Sequence, residues 1–473
     1  MAGNMRPYTA LVSKLLFPAH ELLKSHTTLD IRRKLEKTQW WSADEIAKYQ
    51  LTRLRALLTE AGKSVPYYRQ LFADLNFEPT RISSVSDLAR LPFLTKPLIR
   101  QHSNALKHES ATRLTRSNTG GSSGEPLIFW LGLERTSHDV AAKWRATRWW
   151  GVDIGDREIV VWGSPIELGM QDRIRQWRDL FFRSSLMPAF EMSPAKLDGF
   201  IAEIIQRRPR MLFGYPSALS HIARRAQAQH IAMDGLGIAV AFVTSERLYD
   251  DQRQTIEQVF GCPVANGYGG RDAGFIAHQC PAGGMHITAE DIVVEIIDGD
   301  GQVLPPGQPG EVVVTHLASR EYPFIRYKTG DVAILHDQAC ACGRGLPMLR
   351  EISGRTTDFV VAADGTVMHG LALVYVLRVL PGISAFKIIQ HSLNHTEVLL
   401  VRGDGYLESY PEKIVREFRQ RLGAAVEVST AVVDSIAPEA SGKHRFVVSK
   451  VPTTAFQPNP TAASNATRDN SHA

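Results

Sequence analysis

At 473 residues and 52.5 kDa the chain exceeds what one ordinary core accommodates, so a large domain with a smaller companion is expected. Hydrophobic residues make up 44% and charged residues 22%, with 36 Gly and 25 Pro, a globular composition that excludes a disordered or fibrous chain. Net charge is +5 but uneven: residues 1–116 carry +9 and the remainder −4. These basic residues are interleaved with Leu, Ile and Trp at helical spacing, which reads as solvated helix faces and argues against a nucleic-acid partner.

The first segment reads as helical. Ser42 and Glu45 form an S-x-x-E capping box, followed by Ile46, Leu54, Leu57 and Leu58 on one face and Gly62 as a stop signal. From about Leu127 short β-like runs alternate with helical ones: Ile159–Trp162, Ala195–Ile205, Met211–Phe213, Ala218–Ala228, Ala239–Val243 and Asp250–Phe260. That alternation predicts an α/β (α+β) fold built on layered sheets. Beyond Gly283 the runs become β-rich, with Ile292–Ile297, a turn at 298–301 and Glu311–Thr315, as for an antiparallel appendage. After Gly354 come strand-like Phe359–Ala362, Lys387–Gln390 and Val398–Val401, a helix over Tyr410–Leu422 and a strand over Val426–Val433. The expected division is a helical region at 1–115, a core at 116–353, a C-terminal α+β domain at 354–452 and a disordered tail at 453–473. The longest apolar stretches, such as Leu236–Val243, fall short of the roughly 20 residues a membrane helix needs, and the N-terminus lacks a signal-peptide core. A cytoplasmic location without a transmembrane segment is the expectation.

Four cysteines are present, and the spacing of Cys340 and Cys342 is too tight for a comfortable disulfide. Cys280, His286, Cys340 and Cys342 form C-x5-H and C-x-C pairs whose ligand types suit a structural Zn²⁺; free thiols are the alternative, and His278 is a competing ligand.

Residues 116–126 form a Gly/Ser/Thr loop ahead of strand-like Leu127–Trp130. Thr119, Gly120, Gly121, Ser122, Ser123 and Gly124 could wrap phosphate oxygens without obstruction, although such loops are also plain connectors. The GK[ST] ending of a Walker loop is missing, and Ser441-Gly442-Lys443-His444 does not supply it. Downstream lie Asn266-Gly267-Tyr268-Gly269-Gly270-Arg271-Asp272, the hexapeptide Arg326-Tyr327-Lys328-Thr329-Gly330-Asp331, Glu351-Ile352-Ser353-Gly354-Arg355 and Ser441-Gly442-Lys443.

In this order the five elements resemble the motifs of the adenylate-forming ligase superfamily. The finer resemblance is to the phenylacetate–CoA ligase family and its capsular-polysaccharide-associated branch. Trp40-Trp41-Ser42, Val65-Pro66-Tyr67-Tyr68-Arg69, Leu91-Pro92-Phe93-Leu94-Thr95-Lys96 and the Cys340–Pro347 run carry it. The resemblance spans about residues 35–452. It implies a large N-terminal domain of stacked sheets and helices with a small mobile C-terminal lid that moves between half-reactions. It also implies AMP-forming activation of a small carboxylic acid by ATP and Mg²⁺, followed by transfer to CoA or another acyl acceptor.

Carried onto this sequence, the resemblance places the phosphates on Thr119 to Gly124 and adenine against Tyr268, with Glu246 and Gly269 beside it. The ribose falls to Asp331, Mg²⁺ to Asp272, the hinge contact to Arg355, and the acid carboxylate and α-phosphate to Lys443. Trp162, Gly214 and Tyr215 follow predicted strands and line a candidate acyl pocket suited to an aryl or compact apolar acid, unless they are core packing. Three positions depart from the pattern: Glu125 stands where relatives carry Lys, Asp272 where they carry Glu, and Thr244-Ser245-Glu246 where they carry Gly-Gly-Glu. These departures motivate a second reading, a nucleotide-binding scaffold with weak or no turnover in surface-polysaccharide assembly. A homodimer is compatible with either.

Overall fold

The computed structural model describes residues 7–119, 127–162, 178–189, 191–353, 359–436 and 446–451. Contacts divide it into two compact units. The first comprises 1–188, 200–224 and 232–356; the second comprises 189–199, 225–231 and 357–473. The architecture is mixed α/β.

Within the first unit, strands of one large sheet are numbered here in chain order: β1 Glu158–Trp162, β2 Ser184–Pro188, β3 Met211–Gly214, β4 Val240–Thr244, β5 Val264–Gly270, β6 Gly274–Gln279, β7 Met285–Ile287, β8 Ile292–Ile297, β9 Pro309–His316, β10 Tyr327–Leu335 and β11 Met348–Ser353. Among the described residues their order is β8-β9-β10-β11-β7-β6-β5-β4-β3-β1-β2. The strands from β2 to β5 pair in parallel, joined by helices such as Asp250–Phe260, and the central β3 and β4 read as nearly continuous apolar runs. From β6 onward the pairing is antiparallel. The β-rich stretch expected as an appendage is therefore continuous with the α/β sheet, joined where β6 pairs with β5.

The helix Ala43–Ser64 begins as its capping box requires: Ser42 Oγ accepts the Glu45 amide and Glu45 Oε2 accepts the Ser42 amide at 2.8 Å. Gly62 does not end it. The helix runs two residues further and stops ahead of Pro66, and Gly62 serves packing instead, because a Cβ there would lie 2.8 Å from the Phe72 ring. Ile46, Leu54, Leu57 and Leu58 join the core built over the antiparallel strands.

The helix Leu133–Trp149 packs over the parallel strands and carries Arg135, His138, Asp139 and Arg145 on one buried face. Arg145 meets Glu290 at 2.6 Å, both side chains 1% exposed, and Thr38 donates to the same carboxylate oxygen at 2.7 Å. Arg53 and His138 converge on Asp291 at 2.7 and 2.6 Å. Arg53 thus departs from the solvated-face reading of the N-terminal charges: its partner lies 238 residues away and holds it inside.

The second unit contains a four-stranded sheet in the order Glu427–Val432, His395–Arg402, Ile383–Ser392, Val447–Ser449. Helices Leu371–Arg378 and Tyr410–Leu422 supply Leu373, Leu377, Ile414 and Phe418 to its core. The buried Gln390 amide braces this sheet to the strand Phe359–Val361, donating to the Val361 carbonyl at 2.6 Å and accepting its amide at 2.9 Å. No described helix is long and apolar enough to cross a membrane.

Removing one member of a buried ion pair leaves the other uncompensated. Arg145→Met should therefore lower stability by about 3–5 kcal/mol, read as a shift of the urea midpoint, and Arg145→Met with Glu290→Leu should recover most of it. A single variant within about 1 kcal/mol of the parent would show that Glu290 is held by other groups.

Candidate active site at the carboxyl edge of the sheet

Parallel strands present their carboxyl ends on one edge, where open α/β sheets receive ligands. Here Trp162 ends β1, Tyr215 follows β3, Glu246 follows β4 and Tyr268 lies in β5. The Trp162 and Tyr215 rings stack with centroids 4.5 Å apart, and Phe213 continues the stack 6.2 Å from Trp162. Gly214 is required by strand packing, since a Cβ would lie 2.3 Å from the Val161 carbonyl oxygen. Glu246 accepts a hydrogen bond from Ser217 Oγ. Ser245, standing where a glycine is usual in the resemblance, adopts φ 74°, the left-handed region that costs an L-residue about 1–2 kcal/mol.

Two tyrosine–carboxylate bonds define the centre. Tyr268 donates its hydroxyl to Asp331 Oδ2 at 3.0 Å, and Tyr327 donates to Asp272 Oδ2 at 2.6 Å. Asp272 Oδ1 accepts the Ala273 amide at 3.1 Å. Gly330 turns the chain at φ 80°, and Thr329 Oγ1 accepts the Asp331 amide at 3.1 Å. Gly269 allows the β5–β6 hairpin to close, because a Cβ would lie 2.2 Å from the Gly274 carbonyl.

The Gly/Ser/Thr loop springs from a hairpin of Thr115–Asn118 with Ile128–Leu131. Thr119 closes its base twice: its amide donates to the Leu127 carbonyl, and its Oγ1 accepts the Leu127 amide, each at 3.0 Å. Arg271 reaches the Asn118 carbonyl at 3.5 Å, which brings the loop's base to the Tyr268–Asp272 segment. Gly120, Gly121, Ser122, Ser123, Gly124, Glu125, Arg355 and Lys443 lie outside the described residues.

Two residues of this region escape sequence reasoning. Tyr327 stands in the hexapeptide with no role assigned to it and Arg135 in no motif, yet Tyr327 bonds the Asp272 carboxylate and Arg135 approaches the Asp272 carbonyl. Arg135, fully buried, is paired to Asp139 at 2.9 Å and approaches the Asp272 carbonyl at 3.4 Å. His316 lies 3.7 Å from the same Asp139.

Away from this edge, Cys280, His286, Cys340 and Cys342 place one ligand atom each within 4.8 Å of one another. The Cys280 and Cys340 sulfurs are 3.7 Å apart, and Cys342 Sγ is 3.2 Å from His286 Nε2. His286 Nδ1 meets the Leu346 carbonyl at 3.3 Å, an arrangement that leaves Nε2 facing the sulfurs. His278, the competing ligand, is buried between Phe242 and Phe275 rather than in the cluster.

Comparison with known proteins follows the same lines. Residues 360–450 match the family model described as the CapK C-terminal domain. The chain is a relative of CapK and of the phenylacetate–coenzyme A ligases. It is 22% identical over 417 residues to Protein CapK of Staphylococcus aureus, covering 86% of this chain and 90% of that one. It is 29% identical over 346 residues to a phenylacetate–coenzyme A ligase of Pseudomonas putida, covering 70% and 75%. Among solved structures, 2-hydroxyisobutyryl-CoA ligase with 2-HIB-AMP and CoA in the thioesterification state aligns with TM-score 0.62 at 22% identity. That alignment covers 86% of this chain and 90% of the ligase, and it establishes a shared fold.

The ion network behind Asp272 has a pH signature. Burial, reinforced by Arg135, pushes the His316 imidazole down to about 4 against the pull of Asp139. Unfolded, the ring takes a proton near 6.5, so the stability tied to its neutral form is complete above pH 6.5 and lost as pH falls toward 4. His316→Gln should make the decline of the unfolding free energy, measured by urea titration between pH 6 and 4.5, shallower by up to about 1.4 kcal/mol per pH unit. Equal slopes in the two proteins would remove His316 from the account.

Proposed function

We propose that this chain activates a carboxylic acid with ATP, forming an acyl-adenylate and pyrophosphate, and then passes the acyl group to CoA as a thioester. The observation that carries the reading is the pair of bonds Tyr268–Asp331 and Tyr327–Asp272 between β5 and its following turn and β10, with Arg271 of that turn reaching the base of the Gly/Ser/Thr loop. Similarity to phenylacetate–coenzyme A ligases supports it.

In this reading the acid's oxygen attacks the α-phosphorus of ATP, forming the acyl–phosphate bond as the bond to pyrophosphate breaks. Asp331, oriented by Tyr268, accepts the ribose hydroxyls, and the Tyr268 ring lies along the adenine. Lys443, assigned by the resemblance, meets the carboxylate and the α-phosphate with the compact point charge of a lysine ammonium. Arg355 contacts the nucleotide on the ribose or phosphate side. The loop from Thr119 to Gly124 wraps the phosphates with backbone amides. The stacked Trp162 and Tyr215 offer a flat apolar wall, which favours an aryl or compact apolar acid.

Asp272 fits Mg²⁺ by donor chemistry: a hard carboxylate whose Oδ1 and Oδ2 each accept one hydrogen bond and retain a further lone pair. Bound there, Mg²⁺ supplies charge neutralisation for the phosphates. The cysteine cluster fits Zn²⁺, with three sulfurs, one imidazole and a carbonyl fixing the ring; four protein ligands close such a site, so its role is structural.

Acid-dependent ATP–pyrophosphate exchange, run over aryl, short-chain, fatty, hydroxy and amino acids, tests the activity. The expected result is stimulation by aryl or compact apolar acids, an approximately hundredfold or greater loss in Lys443→Ala, and a rise of about tenfold in the ATP KM of Asp331→Ala. A flat panel alongside measurable ATP binding would turn the reading toward the nucleotide-binding scaffold.

Elemental analysis of the purified chain should find about one zinc per molecule, absent from Cys280→Ser and Cys342→Ser, with a lowered melting temperature in both. Zinc-free wild-type protein, unchanged in stability by added zinc, would identify the four residues as free thiols and an unliganded histidine.

A further inference from the structure

We propose that Tyr327 is a positioning residue that fixes the Asp272 carboxylate for a cation-bound triphosphate, through a reciprocal brace in which two tyrosines each hold the carboxylate of the other's element. The inference rests on the proposed function, which assigns Asp272 to Mg²⁺.

The brace is visible in the pairings. Tyr268 belongs to β5 and donates to Asp331 of β10; Tyr327 belongs to β10 and donates to Asp272, which follows β5. These strands are not neighbours, since β11, β7 and β6 lie between them in the sheet. No backbone ladder therefore sets their separation directly, and the two side-chain bonds join them across the intervening strands. They fix the two carboxylates with respect to one another, a constraint that matters where one is to meet the ribose and the other the phosphates of a single nucleotide.

Each part of the Asp272 seat is itself rigid. Tyr327 is fully buried, with its ring edge-on to Phe324 at 5.1 Å, so its hydroxyl has a fixed origin. Gly270 clears the space Asp272 occupies, since a Cβ there would lie 2.7 Å from Oδ1. The Ala273 amide holds Oδ1, and Arg135 approaches the Asp272 carbonyl from within the ion network. An aspartate has two side-chain torsions to settle, and a hydroxyl bond to one oxygen removes most of that freedom before a ligand arrives.

The experiment measures ATP affinity by intrinsic fluorescence, with millimolar Mg²⁺ and with EDTA, for wild type, Tyr327→Phe, Asp272→Asn, the double variant and Tyr268→Phe. Wild type should bind ATP more tightly with Mg²⁺. Tyr327→Phe keeps the buried ring and should match wild type in EDTA within about twofold, while losing about tenfold of the Mg²⁺-dependent gain and needing more Mg²⁺ for half-saturation. Asp272→Asn should lose the same gain, and the double variant should lose no more than Asp272→Asn alone. Tyr268→Phe should weaken ATP binding with and without Mg²⁺ alike. Melting curves report whether Tyr327→Phe is folded; if it is not, an unchanged Mg²⁺ gain in Asp272→Asn would itself overturn the proposal.

A wild-type Mg²⁺ gain that Tyr327→Phe retains in full overturns the positioning role and leaves the proposed function standing. A wild type that binds ATP equally in Mg²⁺ and EDTA overturns the assignment of Asp272 to the cation, and the positioning role with it. A wild type that binds no ATP overturns the proposed function itself.

Discussion

A buried row of charges along one helix face holds the first unit together. Arg135, His138, Asp139 and Arg145 of Leu133–Trp149 meet Glu290 and Asp291 from the turn between β7 and β8 and His316 at the end of β9, while Thr38 and Arg53 arrive from the N-terminal helices. Charges in such a place are costly to desolvate, and their attraction repays that cost only when geometry is good and spare hydrogen-bonding groups are occupied. Apolar residues would bind the same surfaces with less directional preference. The ion row gives each approaching helix a single set of partners, and through Arg135 it extends to the backbone of Asp272.

That row also explains where sequence reasoning fails. Strands such as Val240–Thr244, buried on both faces, announce themselves as short apolar runs, and Tyr410–Leu422 shows its apolar stripe and terminal glycine plainly. A helix with charges at its interior positions gives no such signal, because the same pattern describes a solvated surface. The partners that decide between the two lie far off in sequence: 145 residues separate Arg145 from Glu290, and 238 separate Arg53 from Asp291. The continuity of the large sheet was hidden for a related reason. Periodicity reveals that Ile292–Ile297 is a strand without revealing that β6 pairs with β5 and carries the antiparallel strands onto the parallel ones.

The hexapeptide at 326–331 shows how little of a recognisable motif need touch a ligand. Arg326 is buried at φ 51°, bonded to both oxygens of Glu295 and to the Ala89 and Leu91 carbonyls, with Phe93 over its guanidinium. It fastens the Leu91–Lys96 stretch to the sheet, where the Leu94 amide and carbonyl bond to the residues either side of Tyr327. Tyr327 holds Asp272, the Thr329 hydroxyl takes the Asp331 amide, and Gly330 supplies the turn. Asp331, which accepts the Tyr268 hydroxyl, is the one residue of the six that the proposed function assigns to the nucleotide. Two stretches of sequence that looked like independent signatures, 91–96 and 326–331, are one structural device.

The same logic joins the N-terminal Trp40-Trp41-Ser42 to the cysteine loop. Arg344 lies between the Trp40 and Trp149 rings, 4.8 and 4.5 Å from their centroids, and donates to Gln39 Oε1 at 2.9 Å. Gly345 passes so close to the Trp41 carbonyl that a Cβ would lie 1.8 Å from its oxygen, and its amide donates to the Gln39 carbonyl. A loop between Cys342 and Leu346 has no strand pairing of its own, and these contacts give it one conformation. Leu346 then presents its carbonyl to His286 Nδ1, which directs Nε2 toward the sulfurs. The geometry of the four-residue cluster thus depends on contacts such as that of Arg344 with Gln39, 305 positions away, and a ligand set that looks local in sequence is organised by the packing of the N-terminal helices against it.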